Sequence, residues 1–552
     1  MPDKPLTTRI ADPVHGYITV TPIERALLDT PAAQRLRYVG QSGLVHLVFP
    51  DVRTSRFIHS LGAMHLASRF LAASLDGSDP DDRSAALEAL KQAVSREIGA
   101  ISSAKVCARQ LDHEGLLTRS APEEHRPYLL LAEQGLRLAA LFHDLGHLPF
   151  SHDFEFALEQ LAADLKPLPR QSATRLLEQR AGRDALHERI GHDLTYLLLG
   201  EAFADAPSEA ARVTFGIARQ ILETSEAQTI EKIRGTGGLE TAAEGAWAWL
   251  HTLIAGELDV DRCDYVLRDA RNYGFESARF DLQRLIDNFI VVRDPDVQNA
   301  LVPAMRPQGQ AAVEAFLIAR ARVYQWGTRH HKVGQVAAAL RYATGRVLKP
   351  ALSSDVEQHP LQPFLSDVEA ILQPHGDGDE DRQALLKRFA GYDDQWWMSV
   401  LRAEHQDNEW FSLVCWRTPG PRCLWKRVVD FPRDDLAAWN RRLPARTDVE
   451  RLREWDDNVR GLRDDGVLVL RHRFEPWKPS EATKDHIEPE SALSFYVSGN
   501  QPGKRLVAVS KVSYPVAALR EGWLRDLQVH AYANSTCALS GQDVLDRLMP
   551  GQ

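Results

Sequence analysis

Leu141-Phe142-His143-Asp144-Leu145-Gly146-His147-Leu148-Pro149-Phe150-Ser151-His152 carries three histidines and one aspartate within ten residues. The Leu-, Ala- and Phe-rich run that precedes it, from Leu136 to Phe142, reads as the end of a buried helix. His143 and Asp144 are adjacent and diverge by about 100° on a helix, yet both can reach one ion placed between their directions. His147, four residues on, shares a face with His143. Gly146 and Pro149 then interrupt regular structure. Imidazole and carboxylate together suit a borderline divalent metal. A single His-Asp pair is common, so the stretch requires ligands from elsewhere in the chain.

The chain has 552 residues, enough for several domains or one large core with additions. Its 44% hydrophobic and 26% charged residues are ordinary for a globular protein. A net charge of −10 argues against a generally basic nucleic-acid binder, while leaving room for a local basic groove. Cys107, Cys263, Cys415, Cys423 and Cys537 are odd in number and form no CxxC pair, which speaks against a disulfide framework or a structural zinc site. The start, Met-Pro-Asp-Lys-Pro-Leu, lacks a signal-peptide core, and no apolar run reaches the length of about 18 residues needed to span a membrane. The expectation is a reduced, cytoplasmic protein without a membrane partner.

Asp12-Pro13 and His15-Gly16 are turn signals around the alternating Tyr17-Ile18-Thr19-Val20, which suggests a small hairpin. Thr21-Pro22-Ile23-Glu24 opens a helix with a Thr cap and Pro at the first position. Residues 30–48 read as helical with breaks at Gly40 and Gly43, and 56–75 as a helix carrying Arg56, His59 and His65. Helical patterns recur near 82–112, 126–142, 150–200, 206–225 and 239–257, and one long helix fits 309–346. Pro374-His375-Gly376-Asp377-Gly378-Asp379-Glu380-Asp381 is the best linker candidate. Tryptophans then cluster between Trp396 and Trp425, most simply as core packing. Strands are expected at 467–470, 493–497 and 506–509, with a turn at Gly499–Gly503, a helix at 514–526 and a closing strand at 527–532. The reading is a mainly α protein: a large helical domain over 1–373 and a smaller α+β lobe over 374–552.

Partners for His143 and Asp144 come from two places. One is His59, in Arg56-Phe57-Ile58-His59-Ser60-Leu61-Gly62. The other is the segment holding Asp259, Asp261, Asp264 and Asp269. Two imidazoles and two carboxylates would hold a divalent ion and leave positions for water and phosphate oxygens. Spacing alone does not choose among the aspartates. They could also form a solvated face with Arg262, Arg268 and Arg271 at i,i+3 or i,i+4, a description that suits Asp264.

The order His59, His143-Asp144, then an aspartate of 259–269 resembles the HD-domain metal phosphohydrolases. Around it stand Asp12-Pro13-Val14-His15-Gly16, Asp29-Thr30-Pro31, Gln34-Arg35-Leu36-Arg37 and Asp259-Val260-Asp261-Arg262-Cys263-Asp264-Tyr265. With Ser494-Phe495-Tyr496 and Arg505–Val509, these resemble the deoxynucleoside triphosphate triphosphohydrolase family over residues 9–533. The branch is that of the animal sterile-alpha-motif and HD-domain protein, expected here without the sterile-alpha-motif domain.

The resemblance implies an HD-domain helical metal-phosphohydrolase core cleaving dNTPs to deoxynucleoside and inorganic triphosphate. It makes His59, His143, Asp144 and Asp261 the ligands of a divalent metal (Mg, Mn, Fe or Zn). His187 matches the catalytic histidine, with Glu155 as its acidic partner; His147 and His152 match histidines that support the catalytic group or contact phosphate, and Arg56 matches a phosphate contact. Gln41, Tyr265 and Asp269 match contacts to the sugar. Asp29, Gln34 and Arg37 match an activating guanine-nucleotide site; the other reading of these residues is a buried Asp–Arg pair fixing a helix turn. Thr8-Arg9 stands where that branch has Lys-Val, and Arg329-His330 replaces Tyr-Gln ahead of His331-Lys332. The interval from His59 to His143 is longer than that branch leads one to expect, so 76–130 reads as an insertion, a lid or an oligomer contact. A homo-oligomer (dimer, tetramer or hexamer) is the family expectation. The alternative function is an HD-type phosphodiesterase acting on single-stranded DNA ends, with Arg320, Arg322, Arg329, Lys332, Arg341 and Arg346 lining a groove.

Overall fold

A computed structural model of the chain describes residues 8–99, 103–111, 116–118, 122–165, 185–202, 208–224, 229, 237–294, 296–353, 359–372, 382–404, 408–418, 420–444, 448–472, 494–498, 504–509 and 513–550. The linker expected at 374–381 and the turn at 499–503 lie outside these residues.

The fold is mainly α, as expected. A hairpin of β1 (Thr8–Asp12) and β2 (Gly16–Val20) opens it. Thr21 then caps the Pro22–Leu28 helix in a reciprocal box with Glu24. At the centre lies α1 (Arg56–Gly77), 22 residues long. Leu61, Met64, Leu66, Phe70 and Leu71 are buried on different sides of it, leaving a narrow stripe through Ile58, His65, Arg69, Ala72 and Asp76 partly exposed. Helices α2 (Arg126–Phe142), α3 (His152–Asp164), α4 (Leu186–Ala202) and α5 (Val260–Tyr273) build the rest of the site wall. Gly62 lets α5 cross α1 closely: a Cβ there would stand 1.8 Å from Asp264 Oδ1.

Within the expected insertion, the Pro80–Ile98 helix buries Ala86, Leu87, Leu90, Ala93, Val94 and Ile98 in the main core. Its Asp82 is buried and pairs with Arg293 at 3.2 Å.

Two expectations change, and the C-terminal strands pair in a way the sequence left open. Residues 30–48 form only a short helix, Pro31–Arg35, followed by two 3₁₀ turns, because Gly40, Gly43 and the β-bridge Gly40–Ser55 intervene. The long helix over 309–346 is two helices, Gln310–Arg322 and α6 (His331–Ser353), separated by a π-helical turn at Val323–Thr328. The C-terminal strands do not form one sheet. Strands β3 (Phe289–Arg293) and β4 (Leu301–Met305), short apolar runs passed over in the sequence, join β7 (Ser494–Ser498) and β8 (Lys504–Ala508) in the order β3-β4-β7-β8. The link is parallel, through Met305 and Phe495. Strands β5 (Arg422–Cys423), β6 (Val467–Arg471) and β9 (Val529–Ala533) make a separate antiparallel sheet, with β9 central.

The tryptophans pack as expected. Trp397, Trp410 and Trp425 are buried; Trp397 donates its Nε1–H to Thr344 and Trp425 to the Val529 carbonyl. Among the described residues no helix is long and apolar enough to cross a membrane.

Candidate metal centre and its neighbouring histidine cluster

His143 ends α2 and donates from Nδ1 to the Ala140 carbonyl at 2.8 Å, which turns Nε2 toward the site. His59, in the first turn of α1, donates from Nδ1 to Asp264 Oδ2 at 2.7 Å, so its Nε2 also faces inward. The two rings meet edge to face with centroids 5.5 Å apart. Asp261 Oδ1 lies 2.9 Å from His59 Nε2 and 3.6 Å from His143 Nε2. Asp144 lies 3.4 Å from His59 Nε2 through Oδ2 and 3.5 Å from His143 Nε2 through Oδ1. Both Nε2 atoms are buried without a partner of hydrogen-bond geometry. His59, His143 and Asp144 thus converge as a group that could hold a metal ion, with Asp261 beside both imidazoles as a further oxygen donor, and the residues present fit a divalent metal. Asp261 has 31% of its side chain exposed, against 14% or less for the other three, so the site opens on its side.

The charges agree with that fit. Burial alone would depress the His59 pKa; contact with Asp261 and Asp264, and the charge of Asp144, raise it to about 10. Burial would raise Asp261, but the two imidazoles hold it well below the usual carboxylate range. The pocket therefore has an excess of negative charge that a cation offsets.

The structure separates the crowded aspartates. Asp261 faces His59 and His143. Asp259 caps α5, accepting from the Arg262 amide at 2.7 Å, and burial pushes its pKa up to about 7. Asp264, expected on a solvated face, is fully buried. It accepts from His59, from His15 Nε2 at 2.6 Å and from Arg268 Nε at 2.7 Å, and Arg268 in turn pairs with Asp12 at 2.8 Å. Three charged or titratable partners converge on it because α5 lies against α1 at Gly62. The β1–β2 turn, quoted in the sequence as a motif of no stated role, is thereby tied to His59.

The second cluster begins one turn later. Phe150 and Ser151 both adopt left-handed backbone (φ 58° and 56°), which costs roughly 1–2 kcal/mol for each non-glycine residue. The turn starts α3 with His152 and points Glu155 inward. Glu155 lies 2.8 Å from His187 Nδ1, 3.3 Å from His152 Nδ1 and 3.6 Å from His147 Nδ1. The His147 and His187 rings stack, 3.9 Å apart and 11° from parallel. His147 Nε2 also lies 3.1 Å from Asp144 Oδ1, so this imidazole bridges the two clusters. Burial opposes charge on His187, but the Glu155 carboxylate outweighs it and raises the pKa to about 9. Burial and the nearby Arg56 and His187 push His147 down to about 3. Gly146 makes the close approach of α4 possible: a Cβ on it would stand 2.0 Å from the His187 carbonyl and 2.3 Å from the Gly191 nitrogen, whereas a Cβ on Gly191 would come no nearer than 3.4 Å to its neighbours.

Arg56 is buried and gives Nη1 to Asp144 Oδ2 at 2.6 Å, Nε to Ser151 Oγ at 3.0 Å and Nη2 to the Gln41 carbonyl at 3.3 Å. Gln41 Oε1 is buried without a partner. The Tyr265 hydroxyl accepts from Arg320 Nε at 3.0 Å and lies 3.3 Å from the Tyr324 hydroxyl. Burial raises the Asp269 carboxyl to about 7, and its Oδ1 has no partner.

Gln34 donates to the Leu28 carbonyl, next to Asp29, at 2.6 Å. Asp29 is exposed and 3.5 Å from Arg25, which corrects the buried-pair reading. Arg37 instead donates to Gln34 at 2.6 Å and lies over the Phe57 ring at 3.7 Å. Half of the basic run expected to line a groove, Arg320, Arg329 and Arg341, is engaged within the fold, while Arg322, Lys332 and Arg346 are exposed. Arg320 holds Tyr265, Arg322 donates to the Ser277 carbonyl, Arg329 stacks on Trp523 at 3.5 Å, and Arg341 pairs with Asp153 at 2.8 Å.

No protein-family model matches the chain. The deoxynucleoside triphosphate triphosphohydrolase SAMHD1 of Gallus gallus is 28% identical over 313 residues, covering 52% of this chain and 39% of that protein. The Homo sapiens protein of the same name is 26% identical, over 50% of this chain and 35% of its own length. An HD domain-containing protein of Acanthamoeba polyphaga mimivirus is 23% identical over 51% of this chain. The matched region thus spans less than half the length of these relatives. The crystal structure of a hypothetical protein from Aquifex aeolicus shares the fold, with a TM-score of 0.53 and 20% identity over 98% of this chain and all of that one. Over about half its length, then, the chain is similar to the HD-domain deoxynucleoside triphosphate triphosphohydrolases, and the resemblance read from its motifs holds.

Proposed function

We propose that the chain is a metal-dependent dNTP triphosphohydrolase, releasing deoxynucleoside and inorganic triphosphate. The observation that carries the reading is the joining of two unlike clusters through one contact, His147 Nε2 to Asp144 Oδ1. On one side lie His59, His143, Asp144 and Asp261, which would hold the metal; on the other lies the His187–Glu155 pair.

A divalent metal held there supplies Lewis acidity toward a phosphate group and its attacking water. Arg56, fixed by Asp144 and Ser151, adds positive charge against the triphosphate. Glu155 accepts the Nδ1–H of His187 and favours the imidazolium, whose Nε2 then carries the second proton. With its pKa near 9, His187 is protonated at neutral pH and can deliver that proton to the departing nucleoside oxygen. His152, half out in solvent beside His187, stands ready for a phosphate oxygen. Tyr265, one turn beyond Asp261, would lie along the sugar, where a ring in van der Waals contact disfavours a 2′-hydroxyl. The reading includes a helical body over 1–373, a lobe over 374–552 and a homo-oligomeric cytoplasmic enzyme.

The test is incubation of metal-loaded protein with each dNTP, each NTP and labelled single-stranded DNA. Triphosphate release from dNTPs, lost in Asp144→Ala, is the expected result. Degradation of DNA with every nucleotide left intact would overturn it. Metal analysis of the purified protein identifies the ion.

A further inference from the structure

The strained turn at Phe150–Ser151 is held by a helix from late in the chain that packs in the main core. Asp394 stands at the start of α7 (Asp394–Ala403), beyond the linker region. Its helix does not use its carboxylate: Asp393 is the cap, accepting from the Trp396 amide at 2.8 Å. Asp394 instead reaches across the chain. Oδ1 accepts from the Phe150 amide at 2.6 Å and Oδ2 from the Gly40 amide at 2.9 Å. A Cβ on Gly40 would stand 3.2 Å from Oδ2, so the glycine leaves room for this approach.

The two amides belong to the two loops that deliver the proposed substrate contacts. Gly40 precedes Gln41, and Phe150 precedes Ser151 and His152. Ser151 Oγ donates to the Gly40 carbonyl at 2.8 Å and accepts from Arg56. Arg56 also holds the Gln41 carbonyl. One carboxylate thus closes a ring of hydrogen bonds through Gly40, Ser151 and Arg56. A second strut lies alongside: buried Arg35 donates from Nη2 to the His147 carbonyl at 2.6 Å and from Nε to the Tyr392 carbonyl at 2.7 Å. Neither Asp394 nor Arg35 touches the four metal donors.

We propose that Asp394 is a positioning residue: a two-oxygen latch that registers the Gln41 loop against the Phe150–His152 turn and so aims Arg56 and His152 at the triphosphate. A backbone held at positive φ at two consecutive non-glycine residues relaxes when its anchor is removed, and a carboxyl group accepting from two amides is such an anchor even though burial raises its pKa to about 7. The latch acts on substrate contacts and leaves the metal donors alone. Its effect on turnover rests on the proposed activity.

The experiment uses the full chain carrying Asp394→Asn, which is isosteric but turns an amide toward a backbone N–H, and Asp394→Ala. Hydrogen exchange is followed at residues 38–42 and 148–153, with bound metal, KM and kcat. The expected result is exchange at the Gly40 and Phe150 amides faster by about tenfold or more, unchanged metal content, and a KM for dNTP raised about tenfold. Asp394→Glu, which keeps both acceptor oxygens, recovers part of the loss. Unchanged exchange at both amides overturns the latch, as does uniform acceleration over the whole chain with loss of metal. Should the Ala variant not fold, the Asn variant carries the test. Wild-type silence toward every dNTP overturns the proposed activity instead, and the exchange measurement still decides the latch.

Discussion

The two clusters that share Asp144 use the same residue types and come out differently. Around His59 carboxylates are in excess, and each ring is pinned by a buried acceptor on its far nitrogen, Asp264 for His59 and the Ala140 carbonyl for His143. Around Glu155 the ratio is inverted: one carboxylate serves His147, His152 and His187. The first arrangement attracts a cation. The second has charge for one protonated ring, which is why His187 titrates up and its stacked neighbour His147 titrates down. Count and placement of carboxylates, more than the histidines, divide metal holding from proton delivery.

That division can be broken most severely at the shared residue. Asp144→Ala is expected to abolish both bound metal and triphosphate release, measured by metal analysis and product assay. His187→Ala should separate the clusters. Metal content stays at the wild-type level while kcat falls by about 10²–10⁴; loss of metal in this variant would refute the separation.

Glu155→Gln sharpens the comparison through pH. A histidine with a raised pKa is protonated below that value and loses the proton as pH rises through it, so the wild-type rate should fall through about pH 9. Without the carboxylate the alkaline limb moves toward the ordinary imidazole value of about 6.5. The rate at pH 8 then drops about 30-fold, while the low-pH rate changes far less. A limb that stays in place would remove Glu155 from the relay. The mildest change is Asp264→Asn, expected to weaken metal affinity about tenfold with little loss of kcat at saturating metal, read by a metal titration.

Much of this was legible in the sequence because metal chemistry is demanding. His59, His143 and Asp144 stand in short motifs of few residue types, and the capping box at Thr21 follows a local rule that the structure obeys. The aspartates of α5 were another matter. Asp259, Asp261 and Asp264 lie within six residues, and their roles as cap, inward ligand and buried anchor depend on what α1 places opposite them. Asp264 could not be recognised as buried because its partners His15 and His59 come from sequence-distant elements. Strands β3 and β4 were missed since a five-residue apolar run reads equally as buried helix. The Phe150–Ser151 strain carries no glycine to announce it. Asp394 has no motif at all; its role exists only where the chain returns.

The contact of Gly146 with Gly191 bears on how such a centre can drift. Backbone of α4 lies against Gly146, where no side chain fits, so the gap separating the metal donors from the proton donor cannot be adjusted by small steps at that residue. Substitutions can retune either half, while the interval between the halves is inherited whole.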